Sequence, residues 1–339
     1  MRKKIKNIKA IITLFLIIGC NSGGVKDAEK VFLSEIANLG KGFLEVFVSF
    51  GDMITGTLGI KAETKKSEIG KYFSDIEKTM QTTKVKLKEI LEKHGNYEKV
   101  KTVVEQFITG IVDKIAAGAK EAGKGASGDV AIGGALTTGQ DPAPADAASV
   151  NALVKGIKEI VGVVLGVNEG NAEASKTGEN DKKDIGKLFE KKDSGTEAEA
   201  AKASASIGVV SGADILQAIA KSSETVDNSK NIETAKDAAS IAAAKKEDGK
   251  TEIKEGAKKD AVIAGGIALR GMAKDGKFAA KAEEKAVHAV NGAVASAVNK
   301  VLSTLTIAIR NRLDEGLREI NKVLGEIKQG EGSVAKINE

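Results

Sequence analysis

The sequence predicts an all-α protein: an elongated helical bundle with long N- and C-terminal amphipathic helices packed together and a loop-rich middle. Aromatic residues make up only 3% of the 339 residues and there are two prolines. Strands of a sandwich or barrel favour β-branched and aromatic residues, so this composition argues against an all-β fold. Apolar residues also recur every three or four positions over long stretches, which is the spacing of one helix face.

The first twenty residues predict a lipoprotein signal. Met1–Lys9 is basic, and Ala10–Gly19 is an apolar run of about ten residues, which suits a signal-peptide core but is too short to span a membrane. The run ends in IIGC, which resembles a bacterial lipobox. We therefore expect residues 1–19 to be removed and Cys20 to carry an S-diacylglycerol and an N-acyl chain, with 20–25 as a tether. An uncleaved anchor with an incidental cysteine is the alternative.

The charge and the cysteine count of the mature chain argue against several functions. Five of the 52 basic residues precede Cys20, so 47 remain against 47 acidic residues. A formally neutral chain gives no support for nucleic-acid binding, which needs a basic patch on the folded domain. The single cysteine excludes an intramolecular disulfide and a CxxC metal or redox site.

The N-terminal third predicts three helices. The first covers 28–54 and should bend or break at Gly40 and Gly42, because glycine weakens a helix interior. The second begins after Ser67, a residue suited to an N-cap. The third covers 97–115. We expect residues 26–339 to form one helical domain.

The remaining sequence alternates loops with helices. The polar segments rich in small residues predict exposed loops at 117–149, 166–184 and 222–256. Apolar periodicity predicts helices at 149–165, 214–220, 258–274 and 287–327. Pairing the last helix with the first would place both chain ends near the membrane and the loop-rich middle away from it.

Motifs that resemble catalytic or cofactor sites either lie in the wrong structural context or lack a required residue. Gly123–Gly128 matches GxGxxG, but it follows a helix rather than a strand. Gly118–Lys124 and Gly271–Lys277 begin like a phosphate-binding loop but lack the final Ser or Thr. His94 is better explained as a cation at a helix C-terminus, and His288 as a helix-face residue. We therefore expect no catalytic residue, no cofactor and no metal, and predict that the chain is not an enzyme.

The lysine pairs and apolar stripes have two interpretations each. Lys245-Lys246 and Lys258-Lys259 are interpreted as solvated faces, with sulfated glycans or anionic lipid as the alternative ligand. The apolar stripes are interpreted as core, with self-association as the alternative. A homodimer through the long helices therefore stays open.

One segment carries a resemblance to a known family. Residues 257–281 read AKKDAVIAGGIALRGMAKDGKFAAK. This closely resembles the invariant segment of the variable large proteins of relapsing-fever Borrelia and of the related variable surface antigen of Lyme spirochetes. Shorter segments agree with the family in order: LGKGFLEVF at 39–47, SFG at 49–51, GIKEIV at 156–161, GKLF at 186–189 and VSGADIL at 210–216.

The resemblance implies an outer-surface lipoprotein, mostly helical and held at the outer membrane by lipid on Cys20. Its implied function is antigenic variation, in which switching the expressed allele lets the bacteria evade host antibody. The three predicted loops would be the antibody targets, and 257–281 is apolar enough to be largely buried. The second hypothesis is a lipid-anchored adhesin that binds a host cell-surface ligand such as a glycosaminoglycan.

Overall fold

The computed structural model describes residues 33–43, 45, 59–94 and 97–327. Regular structure in these ranges is helical, and extended segments meet only at isolated bridges. The all-α prediction is confirmed. The predicted signal peptide and tether lie outside the described residues, as does most of the predicted helix over 28–54.

Eleven α-helices are described, and they match most of the predicted pattern. Their bounds are α1 33–43, α2 Lys66–His94, α3 Glu98–Phe107, α4 Asp113–Gly125, α5 Ala147–Val164, α6 Glu179–Asp184, α7 Glu197–Val209, α8 Gly212–Ala220, α9 Ala238–Ala243, α10 Asp260–Met272 and α11 Glu284–Glu326. A π-helical turn, Ile108–Val112, joins α3 to α4. The third predicted helix, 97–115, therefore continues further than its apolar stripe suggested.

The described chain divides into two compact units. The terminal unit contains α1 with residues 79–113 and 310–327, and the central unit contains residues 59–78 and 114–309. In the terminal unit, the predicted pairing of the first and last helices is confirmed. A Cβ atom placed on Gly40 would lie 3.8 Å from Leu324, and one on Gly42 would lie 3.4 Å from Ile90. The helix does not break at these glycines, because α1 runs through both, and an added Cβ atom would make only ordinary contacts there.

The N-cap predicted at Ser67 is also wrong, because α2 begins at Lys66. The first-turn donors are satisfied by a neighbouring loop instead of a side chain. The N–H of Lys66 donates to the Val130 carbonyl at 3.0 Å, and the N–H of Ser67 donates to the Gly128 carbonyl at 2.9 Å. Loop carbonyls can accept the hydrogen bonds that a capping side chain would otherwise accept, and the local sequence does not predict this.

The first predicted loop, 117–149, starts too early, because α4 continues to Gly125. A Cβ atom on Gly118 would lie 2.6 Å from the carbonyl oxygen of Gly156 on α5, and one on Gly125 would lie 2.3 Å from that of Ser149. Both distances are too short for any side chain. The glycines that suggested a loop instead let two helix backbones touch.

The other two predicted loops contain short helices and part of the core. α6 lies within 166–184, and α9 lies within 222–256, where Ile232, Ile253 and all of α9 except the half-buried Ser240 are buried. Helix α7 was not predicted. Its buried residues are Glu199, Ala200, Ala203, Ser206 and Ile207, so its inner face has one large apolar residue and gives weak hydrophobic periodicity.

The last helix confirms its prediction most fully. Its apolar positions are buried at every third or fourth residue from Val287 to Leu324. Among the described residues, α11 is the single helix long and apolar enough to cross a membrane, but more than half of its most apolar window is buried inside the protein. Burial on that scale is what a core helix of a folded domain shows.

Candidate functional site

The segment that carried the resemblance forms the centre of the central unit. Every residue of α10, from Asp260 to Met272, is buried. The helix packs against α5, α7, α8 and α9. A helix that is apolar on all sides can be stable only when its neighbours enclose it. The expectation that 257–281 is largely buried is confirmed.

The N-terminal end of α10 is closed by a buried carboxylate. Asp260 Oδ2 accepts hydrogen bonds from the backbone N–H of Lys176 at 2.5 Å and of Thr177 at 2.8 Å. Its Oδ1 accepts from the Thr177 hydroxyl at 2.5 Å and the Ser206 hydroxyl at 2.6 Å. One side chain therefore fastens the 172–178 loop and α7 to the start of α10.

The electrostatics at this end favour the ionised carboxylate. Burial alone would raise the pKa of Asp260, but the hydrogen bonds from Ser206, Thr177 and Lys176 outweigh it and lower that pKa below its usual value. The negative charge also faces the positive end of the helix dipole.

The C-terminal end of α10 is closed by a buried arginine. Arg270 Nε donates to the Lys277 carbonyl at 2.8 Å, and Nη1 donates to the carbonyls of Ala242 at 3.2 Å and Ala244 at 2.9 Å. The guanidinium carbon lies 4.8 Å from the centre of the Phe189 ring. A cation at this end is stabilised by the helix dipole and by backbone carbonyls.

A second cation closes the same end from the start of α2. Lys66 Nζ donates to the carbonyl oxygens of Arg270 at 3.1 Å, Ala273 at 2.5 Å and Gly276 at 2.9 Å. The Arg270 carbonyl lies in the last turn of α10, which leaves it without an intrahelical partner, and the other two carbonyls lie just after the helix. Lys66 therefore ties the first turn of α2 to the end of the buried helix.

Burial perturbs both cations, and Arg270 also perturbs Lys66. Burial, followed by repulsion from Arg270 and Lys277, lowers the pKa of Lys66 to about 7, while Asp275 opposes the shift. Burial lowers the pKa of Arg270 to about 9. This end of the helix thus carries more electrostatic cost than the Asp260 end.

Residues 277–281 continue the segment as extended chain between two neighbours. The N–H groups of Lys277 and Ala280 donate to carbonyls of residues 143 and 140, and those of Ala279 and Lys281 donate to carbonyls of residues 188 and 195. Phe278, Ala279 and Ala280 are buried beneath this pairing.

The structure places the rejected motifs where they have no site geometry. Gly118–Lys124 lies on α4, and Gly123–Gly128 is the end of α4 and the turn after it. Gly271–Lys277 is the end of α10 and the following turn. Within the described ranges, His, Cys, Asp and Glu side chains form no group of three suited to a metal.

The structure tests the predicted positions of the histidines but does not test the predicted lipid site. His288 lies on the exposed face of α11, 3.5 Å from Glu284, as predicted. His94 is the last residue of α2, which agrees with its predicted position at a helix C-terminus. Cys20 lies outside the described residues, and its lipidation stays a prediction.

The lysine pairs are neutralised by acidic neighbours. Lys246 pairs with Asp141 at 3.0 Å, Lys245 with Glu247 at 3.4 Å, and Lys258 with Glu179 at 3.0 Å. Lys259 pairs with Glu173. This arrangement favours the solvated-face interpretation over a glycan-binding patch, because an anionic ligand would have to displace these carboxylates.

Sequence reasoning missed the three buried charges. Arg270 had a usable signal, since it is the only charged residue in the apolar run from Ala261 to Met272. Asp260 precedes that run and had a weaker signal as a helix start. Lys66 had none, because it follows Lys65, which is exposed, and nothing local distinguishes the two.

These features define a class of all-α proteins built around one buried, charge-capped helix. The chain belongs to the Borrelia lipoprotein family, whose model matches residues 43–324. It is 58% identical to variable large protein 4 of Borrelia hermsii over 346 residues, covering 100% of this chain and 97% of the relative. Variable large protein 17 of the same organism is also 58% identical, with 100% and 96% covered.

A solved structure supports the same assignment. The variable surface antigen VlsE of Borrelia burgdorferi matches with a TM-score of 0.72 and 36% sequence identity. The match covers 86% of this chain and 97% of that one. The chain is thus similar in sequence to variable large proteins and in fold to a variable surface antigen.

Proposed function

We propose that this chain is an outer-surface lipoprotein antigen that serves antigenic variation, in which a change of expressed allele lets the bacteria evade host antibody. The observation that carries the proposal is 58% identity over the whole chain to two variable large proteins. The structure supports the proposal because it separates a buried centre, α10, from exposed loops. The proposal gives the chain no catalytic role.

The loops offer the exposed side chains that antibodies would bind. Leu136 is 62% exposed and Val167 is fully exposed. Such positions contribute little to the core, so substitutions there cost little stability. By contrast, α10 presents no residue to solvent. Host antibodies are therefore the proposed partners of the loops.

The proposal is tested by sequencing transcripts of clonal bacteria before and after exposure to antibody against this protein. Survivors should express a different allele, with changed loops and a retained 257–281 segment. Survivors that keep this sequence unchanged would contradict antigenic variation.

The proposal also places the chain at the outer membrane through lipid on Cys20. Two or more acyl chains anchor a protein stably, whereas one binds only marginally. Replacing Cys20 with Ser should abolish incorporation of a labelled fatty acid and release the protein from the membrane fraction. Protease added to intact cells should degrade the wild-type chain. A Cys20→Ser protein that remains membrane-bound and labelled would contradict this placement.

A further inference from the structure

The C-terminal part of the buried segment is covered by a short extended stretch, residues 140–146, which we call the strap. The N–H of Gln140 donates to the Ala280 carbonyl at 2.8 Å and that of Ala143 to the Lys277 carbonyl at 3.2 Å. Both bonds are returned, at 2.9 Å each, by the N–H groups of Ala280 and Lys277. The strap thus pairs antiparallel with the segment, backbone to backbone.

The strap is fastened at its far end in the same way. The N–H of Asp146 donates to the Lys274 carbonyl at 2.9 Å, and that of Ala145 donates to the Ala242 carbonyl at 3.2 Å. Backbone groups therefore make five hydrogen bonds between the strap and the 274–280 region. Gln140 adds the one side-chain bond, from Nε2 to the Phe278 carbonyl at 3.0 Å.

The two prolines fit this role. Pro142 and Pro144 have no N–H, and they alternate with Ala143, whose N–H is used. Proline also restricts the preceding residue to extended conformations, which applies to Asp141 and Ala143. The strap is therefore held extended by its own sequence before any contact forms. Its outward residues include Asp141, which is exposed.

We propose that the strap conceals residues 278–280 through main-chain hydrogen bonds, so that its outward side chains can be exchanged without uncovering them. This inference rests on the proposed function, since concealment matters only for a chain exposed to antibody. It explains how a loop open to antibody selection can cover a segment that is withheld from it. A main-chain bond is the same for every residue except proline.

The test compares two substitutions at one position in the full mature chain. Ala143→Pro removes the N–H that bonds Lys277, whereas Ala143→Ser keeps it. Asp141→Ala keeps the strap's main-chain bonds and removes a side chain that pairs with Lys246 and accepts a hydrogen bond from the Lys192 N–H. Hydrogen exchange of residues 274–282 and binding of an antibody raised against the 257–281 peptide report exposure. Loss of one backbone hydrogen bond is worth about tenfold in the opening equilibrium, so Ala143→Pro should raise both readouts about tenfold.

The matched controls should leave both readouts within about twofold of wild type, as surface substitutions do. If Ala143→Ser or Asp141→Ala exposes the segment as much as Ala143→Pro, the strap works through its side chains and the proposal is wrong. Continued protection of 278–280 in Ala143→Pro would also overturn it.

A fold check keeps the test decisive. Exchange of the α11 amides near Val298 reports whether the helical core survives. If Ala143→Pro loses that protection, the double variant Asp141→Ala/Ala143→Ser decides: continued protection supports the proposal, and exposure overturns it. These readouts use purified protein, so their failure is separate from a failure of allele switching, which the transcript experiment measures.

Discussion

The two ends of the 257–281 segment are closed by different chemistry. At the Asp260 end, one carboxylate collects four hydrogen bonds, two of them from the Thr177 and Ser206 hydroxyls. At the other end, Arg270 and Lys66 cap carbonyls while the strap pairs backbone to backbone. The first closure depends on which side chains surround Asp260. At the other end, the hydrogen bonds of the strap depend mainly on the position of its backbone.

The difference indicates where substitutions can accumulate. Around Asp260, replacing Thr177 or Ser206 leaves a buried charge short of donors, which is costly. Along the strap, most outward side chains can change while the main-chain bonds remain. A surface antigen under antibody selection can therefore accept substitutions where main-chain hydrogen bonds close the buried segment. It can accept few where side-chain hydrogen bonds close it.

The largest effect is expected at the cation end, from Arg270→Met. The change leaves buried carbonyls such as that of Ala244 without a donor, so the free energy of unfolding should fall by about 3 kcal/mol. Denaturant unfolding measures it. The matched control is Arg312→Met, whose exposed pair with Glu315 should contribute less than about 1 kcal/mol. Equal losses in the two variants would contradict the assignment of Arg270 to the core.

The next effect tests the anion end, with Asp260→Asn. The amide nitrogen cannot accept a hydrogen bond, so donors at Thr177 or Lys176 lose their partner and stability at pH 6 should fall by about 2 kcal/mol. The lowered pKa of Asp260 means that its contribution is present above its unfolded-state pKa and is lost as the pH falls below it. The difference in the free energy of unfolding between wild type and Asp260→Asn should therefore narrow toward pH 3.

A gap that stays constant from pH 6 to pH 3 would show that Asp260 does not gain stability from its ionised form. Asp75→Asn is the control, because Asp75 pairs with Lys71 on an exposed helix face. It should change stability by less than about 0.5 kcal/mol.

A smaller, pH-dependent effect is expected at Lys66. Its pKa of about 7 in the folded state lies below its unfolded value, so the unfolded chain binds more protons between the two and stability rises with pH. Relative to Lys66→Met, wild type should gain about 1 kcal/mol of stability between pH 7 and pH 8. Lys65→Met, at an exposed neighbour, should show the wild-type pH dependence. An unchanged difference between wild type and Lys66→Met across this range would contradict the buried ammonium.

The smallest effect belongs to the strap surface. Asp141→Ala removes an exposed pair with Lys246 and an exposed acceptor for the Lys192 N–H, so the melting midpoint should move by the equivalent of no more than about 0.5 kcal/mol. A loss near that of Asp260→Asn would show that the strap depends on a side chain, and the contrast between the two ends would disappear.

The sequence predicted those elements whose apolar residues are large and regularly spaced. The stripe of α11 and the buried face of α5 are examples, because bulky residues every three or four positions leave little choice of structure. Helix α7 was not predicted because Ile207 is the only large apolar residue on its inner face, beside two alanines, a serine and a glutamate. Gly118 and Gly125 were misread as loop residues, since close helix packing and loops favour the same small side chains.

The buried charges show a second limit of prediction. Arg270 interrupts an apolar run and could have been recognised, whereas Lys66 reaches α10 from 204 positions away in the sequence. The strap was placed within a predicted exposed loop. Asp141 does lie at the surface, but Pro142 and Ala145 are buried, and the backbone pairing of the strap depends on a tertiary contact that has no local signature.

Labelling of intact cells can show whether the loops are displayed while the 257–281 segment is withheld from antibody. One antibody is raised against residues 166–178, which include the fully exposed Val167, and another against 257–281. Both should recognise denatured protein equally. On intact cells, the account predicts labelling by the loop antibody and almost none by the segment antibody. Labelling of intact cells by the segment antibody at the same level would contradict it.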